Sequence, residues 1–304
     1  NFINVDINPP KNDKHKPYWE NIDINNCDHL INKIKQYKPT HILHLAADLG
    51  MEHKNFDNLQ CNIKGIENLL ESVNNIDSIQ RIIFTSSLLV CKNGYIPKND
   101  TDYSPPNLYG KSKVFGEKIV RSANLNCEWA IVRPTSIWGP CFDYSYKTFF
   151  KMIDKNMYMH IGKDEFQKPA SYVGNTVHMM IKILLTDNPT INKNTFYLAD
   201  YPWYSTKEWA NTIQNILNSK SIKTALLWIL RVVAFIGDLI KKIIKIDPPL
   251  TSFRLDYMLT GGSYPIDKTR KVVGDLPLDL DESVFLTAQW MYENNLIKHI
   301  PRKI

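Results

Sequence analysis

Apolar runs that alternate with segments of helical spacing constrain the fold of this chain more than any other feature. Short, nearly continuous apolar runs predict strands buried on both faces of a sheet. Apolar residues three and four apart predict helices. The predicted strands are residues 2–7, 41–47, 81–86 and 128–133, and the helices between them are residues 27–37, 58–73 and 108–122. This alternation predicts an α/β fold with a doubly wound parallel sheet.

The alternation ends near Pro140, and the chain beyond it is richer in aromatic and helical segments. We therefore predict a Rossmann-type domain over residues 1–140. A smaller C-terminal lobe, mainly for substrate binding, is predicted over residues 141–304, although later segments are free to return to the sheet. Further helices are predicted at residues 172–185, at residues 206–217 and within the tail 267–296.

Composition excludes several classes of protein. The 304 residues are 43% hydrophobic and 22% charged, so disorder and coiled coil are poor interpretations. The net charge is +6, but the basic residues are scattered singly, so we predict no nucleic-acid partner. The five cysteines are widely spaced and include no Cys-x-x-Cys pair. This spacing predicts no metal site and favours a reducing, cytoplasmic location.

The most hydrophobic stretch is residues 225–246. Five charged residues interrupt it, namely Arg231, Asp238, Lys241, Lys242 and Lys245. Its uncharged runs are much shorter than the roughly 20 apolar residues of a membrane span, so we predict no transmembrane span. We expect an amphipathic helix packed on the protein or on a subunit partner. Contact with a membrane surface is the alternative, because the basic residues cluster at one end.

A tyrosine, a lysine and a serine carry the chemistry. Tyr109 and Lys113 are four residues apart in a predicted helix and so project from one face. A neighbouring ammonium favours the phenolate, so we expect the pKa of Tyr109 to move down from about 10. Ser87 follows a predicted strand, where a hydroxyl can bind a substrate oxygen. A turn or helix cap would use the same serine equally well.

Further motifs follow one another along the chain. They are Val5-Asp6-Ile7, Asp23-Ile24, His44-Leu45-Ala46-Ala47, Asn62, Ser87 with Tyr109 and Lys113, Arg133 to Pro140, and Ser171-Tyr172-Val173-Gly174-Asn175. In this order they resemble the extended short-chain dehydrogenase/reductase family, the NAD-dependent epimerase/dehydratase group. The resemblance extends from Phe2 to about Trp290.

This resemblance implies a cofactor and a set of site residues. The catalytic residues would be Ser87, Tyr109 and Lys113. The cofactor would be NAD, in contact with Asp6, Ile7, Asp23, Ile24, Leu45, Ala46, Ala47, Asn62, Tyr109, Lys113, Pro134 and Ser136. The substrate would contact Ser87, Leu88, Ser136, Lys168 and Tyr172. The resemblance also implies a homodimer through the helices 58–73 and 108–122.

The sequence departs from the family at three places. The family opens with a strand and a glycine-rich turn that holds the pyrophosphate, and nothing precedes the strand 2–7 here. We therefore expect an upstream βα unit of about 25 to 30 residues, with its strand between strands 2–7 and 81–86. Leu88 and Leu89 replace the Asp and Glu of sugar-nucleotide 4,6-dehydratases, which argues against that elimination.

The third departure concerns the diphosphate. Ala170 stands where many nucleotide-sugar enzymes have an arginine. Lys163 or Lys168 would supply a point charge there, but lysine does not replace the bidentate contact of arginine.

We prefer an NAD-dependent epimerase or dehydrogenase that acts on a nucleotide-activated sugar in surface polysaccharide biosynthesis. Tyr109 would remove a proton while hydride passes to NAD. The alternative is a 3β-hydroxysteroid-dehydrogenase-like oxidoreductase of a hydrophobic alcohol, which explains Ala170 more easily. A non-catalytic nucleotide-binding scaffold is the third hypothesis, and the intact Ser87, Tyr109 and Lys113 argue against it.

Overall fold

Short strands alternate with helices along the chain. The structure is a computed structural model that describes residues 2–50, 55–142, 144–162, 167, 169–244, 248, 250–259, 261–262 and 264–303. The strands are β1 (Asn4–Asp6), β2 (Trp19–Asn21), β3 (His41–His44), β4 (Arg81–Thr85), β5 (Glu128–Pro134), β6 (Ser136–Trp138), β7 (Met159–Ile161), β8 (Ala170–Tyr172), β9 (Asn194–Leu198) and β10 (Lys223–Ala225). The helices are α1 (Cys27–Tyr37), α2 (Cys61–Val73), α3 (Leu108–Ser122), α4 (Tyr144–Asp154), α5 (Val173–Leu185), α6 (Thr206–Leu217), α7 (Leu227–Ile244), α8 (Ser252–Leu259), α9 (Asp267–Val273) and α10 (Leu280–Glu293).

Four parallel strands form the main sheet in the order β3-β4-β5-β9. Side chains alternate between its faces, as the pleat requires. Ile82 and Phe84 of β4 pack with residues of α1 and α2 on one face. Ile83, between them, packs with residues of α5 and α9 on the other face. Helices therefore cover both faces of a parallel sheet, which confirms the predicted doubly wound α/β fold.

Helices α1 and α3 begin and end where the sequence predicts, and an asparagine caps each of them. The Asn26 side chain accepts a hydrogen bond from the backbone N–H of His29 at 3.1 Å. The Asn107 side chain accepts one from the backbone N–H of Gly110 at 2.8 Å. Such caps satisfy amide groups that the first helical turn leaves unpaired, and so they define where each helix starts.

One predicted feature of the sheet order is wrong. Strand β4 pairs with β3 on one side and with β5 on the other, so no further strand fits beside it. Strand β1 instead pairs with β2 in a separate two-stranded sheet. Within the described residues, β3 is an edge strand of the main sheet and is only partly buried. The predicted strand 41–47 is present as residues 41–44, and Ile42 and Leu43 pack against the cores on its two faces, although both side chains are only partly buried. The upstream βα unit itself stays a prediction.

The chain beyond residue 140 contributes to both lobes. Strand β9 returns to the main sheet, beside β5. The smaller lobe contains the strand pairs β6-β8 and β7-β10. Its core is aromatic: Trp138 is fully buried, its ring lies 4.7 Å from that of Trp209, and its Nε1 donates a hydrogen bond to the Tyr204 hydroxyl at 2.7 Å. The domain boundary at residue 140 stays a prediction.

Helix α7 packs on the protein only in part, through contact with the segment before α8, and the predicted alternative of packing on a subunit partner stays a prediction. Its side chains include eight that are apolar and exposed. Only a narrow side, with Ala234 and Gly237, is buried against neighbouring residues. Among the described residues, no helix is both long and apolar enough to cross a membrane.

Candidate active site

The carboxyl ends of the central strands bring several predicted site residues to one edge of the sheet. Leu45, Ala46 and Ala47 follow β3, Ser87 lies two residues beyond β4, and Pro134 is the last residue of β5. Because these three strands are parallel neighbours, their carboxyl ends meet at one edge. Open α/β sheets bind their ligands at this edge.

The first turn of α3 holds Tyr109 beside Ser87. A Cβ on Gly110 would lie 2.2 Å from the carbonyl oxygen of Leu89, so the start of α3 packs directly on the short 3₁₀ helix Leu88–Val90. Ser87 caps that 3₁₀ helix, since its Oγ accepts a hydrogen bond from the backbone N–H of Leu89 at 3.1 Å. Ser87 lies beside Tyr109, and its hydroxyl lowers the pKa of the tyrosine. The structure thus joins two of the three predicted catalytic residues.

Lys113 lies one helical turn after Tyr109 and is buried. Its Nζ donates a hydrogen bond to the carbonyl oxygen of Thr85 at 3.0 Å and lies 5.8 Å from the centre of the Tyr109 ring. Burial lowers the pKa of Lys113 to about 8, although the nearby Cys61 and Glu117 oppose this shift. All three predicted catalytic side chains therefore occupy one place at the sheet edge.

The prediction that Lys113 lowers the pKa of Tyr109 is wrong for the chain without its cofactor. Burial raises the pKa of Tyr109, and the Ser87 hydroxyl only partly opposes that rise. The reason is that burial disfavours the charged form of both groups. The Tyr109 phenolate is destabilised, and the Lys113 ammonium gives up part of its charge near pH 8. The serine therefore contributes more to tyrosine acidity than the sequence suggested.

A buried carboxylate that the sequence did not single out connects α3 with β4 and β5. Glu117 lies one turn after Lys113 and accepts hydrogen bonds from Ser86, Tyr103, Arg121 and Arg133. Arg133 contributes two of them, at 2.8 and 2.7 Å. Burial would raise the pKa of Glu117, but the hydrogen bonds and charge of Arg133 lower it overall. This network fixes Ser86, and with it the position of Ser87, against α3.

Asn62, a predicted cofactor contact, is engaged with protein atoms. Its Nδ2 donates to the carbonyl oxygen of Asp48 and to Ser112 Oγ, each at 3.0 Å. Its Oδ1 accepts from the backbone N–H of Asp48 at 2.7 Å. Ser112 Oγ in turn donates to the carbonyl oxygen of Tyr109 at 2.7 Å. Asn62 thereby ties the loop after β3 to the helix that carries Tyr109.

The predicted adenosine contacts lie at β1 and after β2. Asp6 ends β1 with an exposed carboxylate, and Ile7 beside it is exposed as well. Asp23 is exposed, and its carboxylate bonds to groups in its own turn. Ile24 is held on α2, because its carbonyl oxygen accepts a hydrogen bond from Asn68 Nδ2 at 2.8 Å.

The predicted substrate contacts are only partly at the sheet edge. Leu88 and Ser136 are half-buried beside it. Tyr172 is buried in the aromatic core of the smaller lobe. Lys168 lies outside the described residues, as does Lys163.

Two buried polar residues near these segments were not assigned by the sequence reasoning, which named His44 only as part of a motif and did not single out Asp200. His44 is buried at the end of β3, and burial together with the charge of Lys113 lowers its pKa to about 3. Asp200 follows β9 and is buried. It accepts hydrogen bonds from the backbone N–H of Tyr172 at 2.9 Å and from Asn175 Nδ2 at 3.1 Å. Burial raises the pKa of Asp200 to about 6 against these hydrogen bonds. A polar residue inside or directly after an apolar run was the available signal for both.

The sheet edge has features that suit a bound dinucleotide. Thr85 Oγ1 is buried and has no hydrogen-bond partner among the described residues, although it lies at the carboxyl end of β4. Leu45 and Ala46 are exposed on the adjoining loop. A buried hydroxyl without a partner and exposed apolar side chains are both costs that a ligand would relieve.

The model of the 3-beta hydroxysteroid dehydrogenase/isomerase family matches residues 5–228, well over half of the chain. The chain belongs to this family. Membership confirms the predicted identification as an extended short-chain dehydrogenase/reductase, and it confirms an enzyme of the oxidoreductase or isomerase kind.

Relatives with curated names include both sugar and sterol enzymes. One is N-acetyl-alpha-D-glucosaminyl-diphospho-ditrans,octacis-undecaprenol 4-epimerase of Escherichia coli, 29% identical over 52% of this chain and 49% of the relative. This match spans about half of the relative's length. Another is the decarboxylating sterol-4-alpha-carboxylate 3-dehydrogenase of Saccharomyces cerevisiae, 23% identical over 89% of this chain and 82% of the relative.

Solved structures of similar fold include UDP-glucuronic acid 4-epimerase from Bacillus cereus, in complex with UDP-glucuronic acid and NAD. The TM-score is 0.66 at 18% identity, over 91% of this chain and 82% of the other. At this identity the likeness supports the Rossmann-type fold alone.

Proposed function

We propose that this member of the family is an NAD-dependent dehydrogenase or epimerase that oxidises a secondary hydroxyl group of a ring substrate. The observation that carries this proposal is the joint position of Ser87, Tyr109 and Lys113 at the carboxyl edge of the sheet. A scaffold without catalysis gives no reason for a lysine to be buried there beside a buried tyrosine, because burial of both groups costs stability.

Each of the three side chains has a role that follows from its contacts. Tyr109 gives its own proton to solvent and then, as the phenolate, accepts the proton of the substrate hydroxyl. Ser87 donates a hydrogen bond to the reacting oxygen of the substrate, and it lowers the pKa of Tyr109. Lys113, held by the Thr85 carbonyl oxygen beside the Tyr109 ring, would bind the nicotinamide ribose of the cofactor. Glu117 and Asn62 are positioning residues, since they hold the serine and the tyrosine helix in place.

NAD is the cofactor. When bound, it accepts the hydride of the substrate carbon. The exposed Asp6 carboxylate would suit the adenosine ribose, and the exposed Leu45 and Ala46 would contact the dinucleotide from their loop. The unpartnered hydroxyl of Thr85, whose carbonyl oxygen binds Lys113 Nζ, would be available to the cofactor. Structures of similar fold that contain NAD support this assignment.

The first candidate substrate is a sugar activated through a diphosphate. The Escherichia coli relative acts on such a sugar joined to a polyprenol, and this supports the choice. For a sugar substrate we further propose a role in surface polysaccharide biosynthesis. An epimerase would return the hydride to the opposite face of the ketone, whereas a dehydrogenase would release the ketone.

The second candidate is a sterol-like alcohol, and Ala170 favours it. Ala170 is buried in β8 and pairs with Ser136 of β6, so this position offers no cation for a diphosphate. The family match and the yeast sterol dehydrogenase agree with an apolar ring substrate. This candidate uses the same Ser87, Tyr109 and Lys113.

A substrate panel separates the two candidates. The natural full-length protein is incubated with NAD and with UDP-sugars, polyprenyl diphosphate sugars or 3β-hydroxysterols, while absorbance at 340 nm and product stereochemistry are followed. Oxidation or epimerisation of a sugar supports the first candidate, and oxidation of a sterol supports the second. Absence of turnover with every class, in a protein that binds NAD, would contradict the proposed activity. Ser87→Ala serves as the low-activity control.

We also propose that the protein is a cytoplasmic homodimer. The helices α2 and α3 pack side by side, and Phe115 of α3 is exposed on their outer side. An exposed phenylalanine on a helix pair supports a paired-helix interface.

A further inference from the structure

Helix α7 carries a wide apolar face that no described residue covers. Trp228, Val232, Phe235, Leu239 and Ile243 recur every three or four residues, so they lie along one side of the helix. Trp228, Phe235 and Ile243 are 65%, 61% and 76% exposed. The apolar face of α7 is defined by Trp228, Ile229, Val232, Val233, Phe235, Ile236, Leu239 and Ile243. The largest apolar patch of an ordinary soluble monomer is about 300–600 Å² and is often functional. Eight neighbouring exposed apolar side chains on one helix therefore indicate a binding surface.

The opposite side of α7 fixes the direction in which this face points. A Cβ on Gly237 would lie 2.1 Å from the carbonyl oxygen of Leu250, so the helix packs closely on the segment before α8. Asp238 accepts a hydrogen bond from the backbone N–H of Ser252 at 3.2 Å. Ala234 is fully buried on the same side. The helix is therefore anchored with its small residues inward and its large apolar residues outward.

The charges along the helix select the chemistry of the partner. Arg231 and Lys242 are exposed at the edge of the apolar face, and Asp238, the only acidic residue of α7, is turned toward Ser252. The outer side of the helix is thus apolar with a basic edge. If two copies paired through this face, these basic edges would approach each other, and α7 would supply no acidic side chain between them. Anionic lipid headgroups provide the complementary charge.

We propose that the apolar face of α7 binds the surface of a membrane that contains anionic phospholipid. The helix lies in the plane of the interface, with its large side chains at the boundary between headgroups and acyl chains and its basic edge on the phosphates. Its 18 residues span about 27 Å, enough for an in-plane contact of several lipids. Because β10 precedes α7 and pairs with β7, this contact holds the smaller lobe against the bilayer.

Vesicle flotation tests the proposal. The purified full chain is mixed with vesicles of phosphatidylcholine alone or with about 30% phosphatidylglycerol, and the floated fraction is measured. We expect flotation with anionic vesicles that weakens as salt is raised. The double variant Phe235→Ser/Ile243→Ser should weaken binding about tenfold or more, because its apolar contact is lost. Arg231→Glu/Lys242→Glu should abolish the preference for anionic vesicles.

A matched control removes apolar side chains elsewhere. Leu185 and Ile300 are 60% and 64% exposed, and the variant Leu185→Ser/Ile300→Ser should float as the wild type does. Circular dichroism confirms that each variant is folded. Equal flotation of the Phe235→Ser/Ile243→Ser variant and the wild type would overturn the proposal. So would a wild type that binds no vesicle, including one that sediments as a dimer and becomes monomeric in the Phe235→Ser/Ile243→Ser variant, because a second copy would then cover the face.

Discussion

Removal of the negative charge of Glu117 should destabilise the protein strongly. The carboxylate is buried and accepts hydrogen bonds from four side chains, and the fully buried Arg133 guanidinium makes two of its contacts there. The variant Glu117→Gln keeps the shape of the side chain but leaves the Arg133 charge without its counterion. Breaking a buried ion pair in this way costs about 3–5 kcal/mol. We expect about 3 kcal/mol, since the amide oxygen still accepts hydrogen bonds.

Urea unfolding followed by circular dichroism measures this loss. In a separate thermal unfolding experiment, the same loss should lower the melting temperature of a chain of this size by about 6 °C. Glu67→Gln on α2 is the matched control, because Glu67 is exposed and its Oε2 lies 4.0 Å from Lys64 Nζ. We expect less than about 0.5 kcal/mol from this control.

A double variant tests the cause of the loss. Glu117→Gln/Arg133→Met removes the buried charge on both sides, so it should cost about 2 kcal/mol less than the sum of the single variants. A Glu117→Gln variant within about 1 kcal/mol of the wild type would refute the reasoning. Strict additivity of the two substitutions would refute it as well, because the two side chains would then not stabilise each other.

Three more predictions concern other positions. Gly110→Ala should reduce kcat far more than it changes cofactor affinity, because the new Cβ would clash with the Leu89 carbonyl oxygen and displace Tyr109 from Ser87. Unchanged kinetics would contradict this prediction, because the start of the helix would then have moved without effect. The pKa of Asp200 is raised to about 6, so its stabilising contribution is present at low pH and is lost as pH rises through 6. Between pH 8 and pH 5 the wild type should therefore gain about 1 kcal/mol of unfolding free energy relative to Asp200→Asn, as measured by urea unfolding. A wild type that instead gains stability relative to the variant as pH rises would contradict this. Phe115→Asp should convert a dimer to a monomer in sedimentation experiments, whereas an unchanged dimer would place the interface elsewhere.

The sequence predicted the local elements of the sheet domain well. Helices α1 and α3 were placed to the residue because helical spacing is a local signal, and in the structure an asparagine caps each of them. The three-residue strand Trp19–Asn21 was missed, since it exists only through pairing with β1. The order of strands depends on the same long-range pairing, and for this reason the neighbour of β4 was predicted wrongly.

The composition of the candidate site was predictable, but its electrostatics were not. Ser87, Tyr109 and Lys113 were identified from motifs and do lie together. The sign of the Tyr109 pKa shift depends on burial, which no spacing of residues reveals. Glu117 and Asp200 were missed because their partners are far away in the chain. The exposure of α7 also required the structure, because a buried helix and an exposed apolar helix share one composition.

The most direct test of the central claim is the turnover of Tyr109→Phe in the natural full-length protein. The loss of a positioned acid–base group costs about 100-fold or more in kcat. We expect such a loss with the best substrate of the panel, while the Kd for NAD, measured by calorimetry, changes by no more than about twofold, a free-energy change within about 0.5 kcal/mol. A Tyr109→Phe variant that turns over at the rate of the wild type would contradict the account of this site.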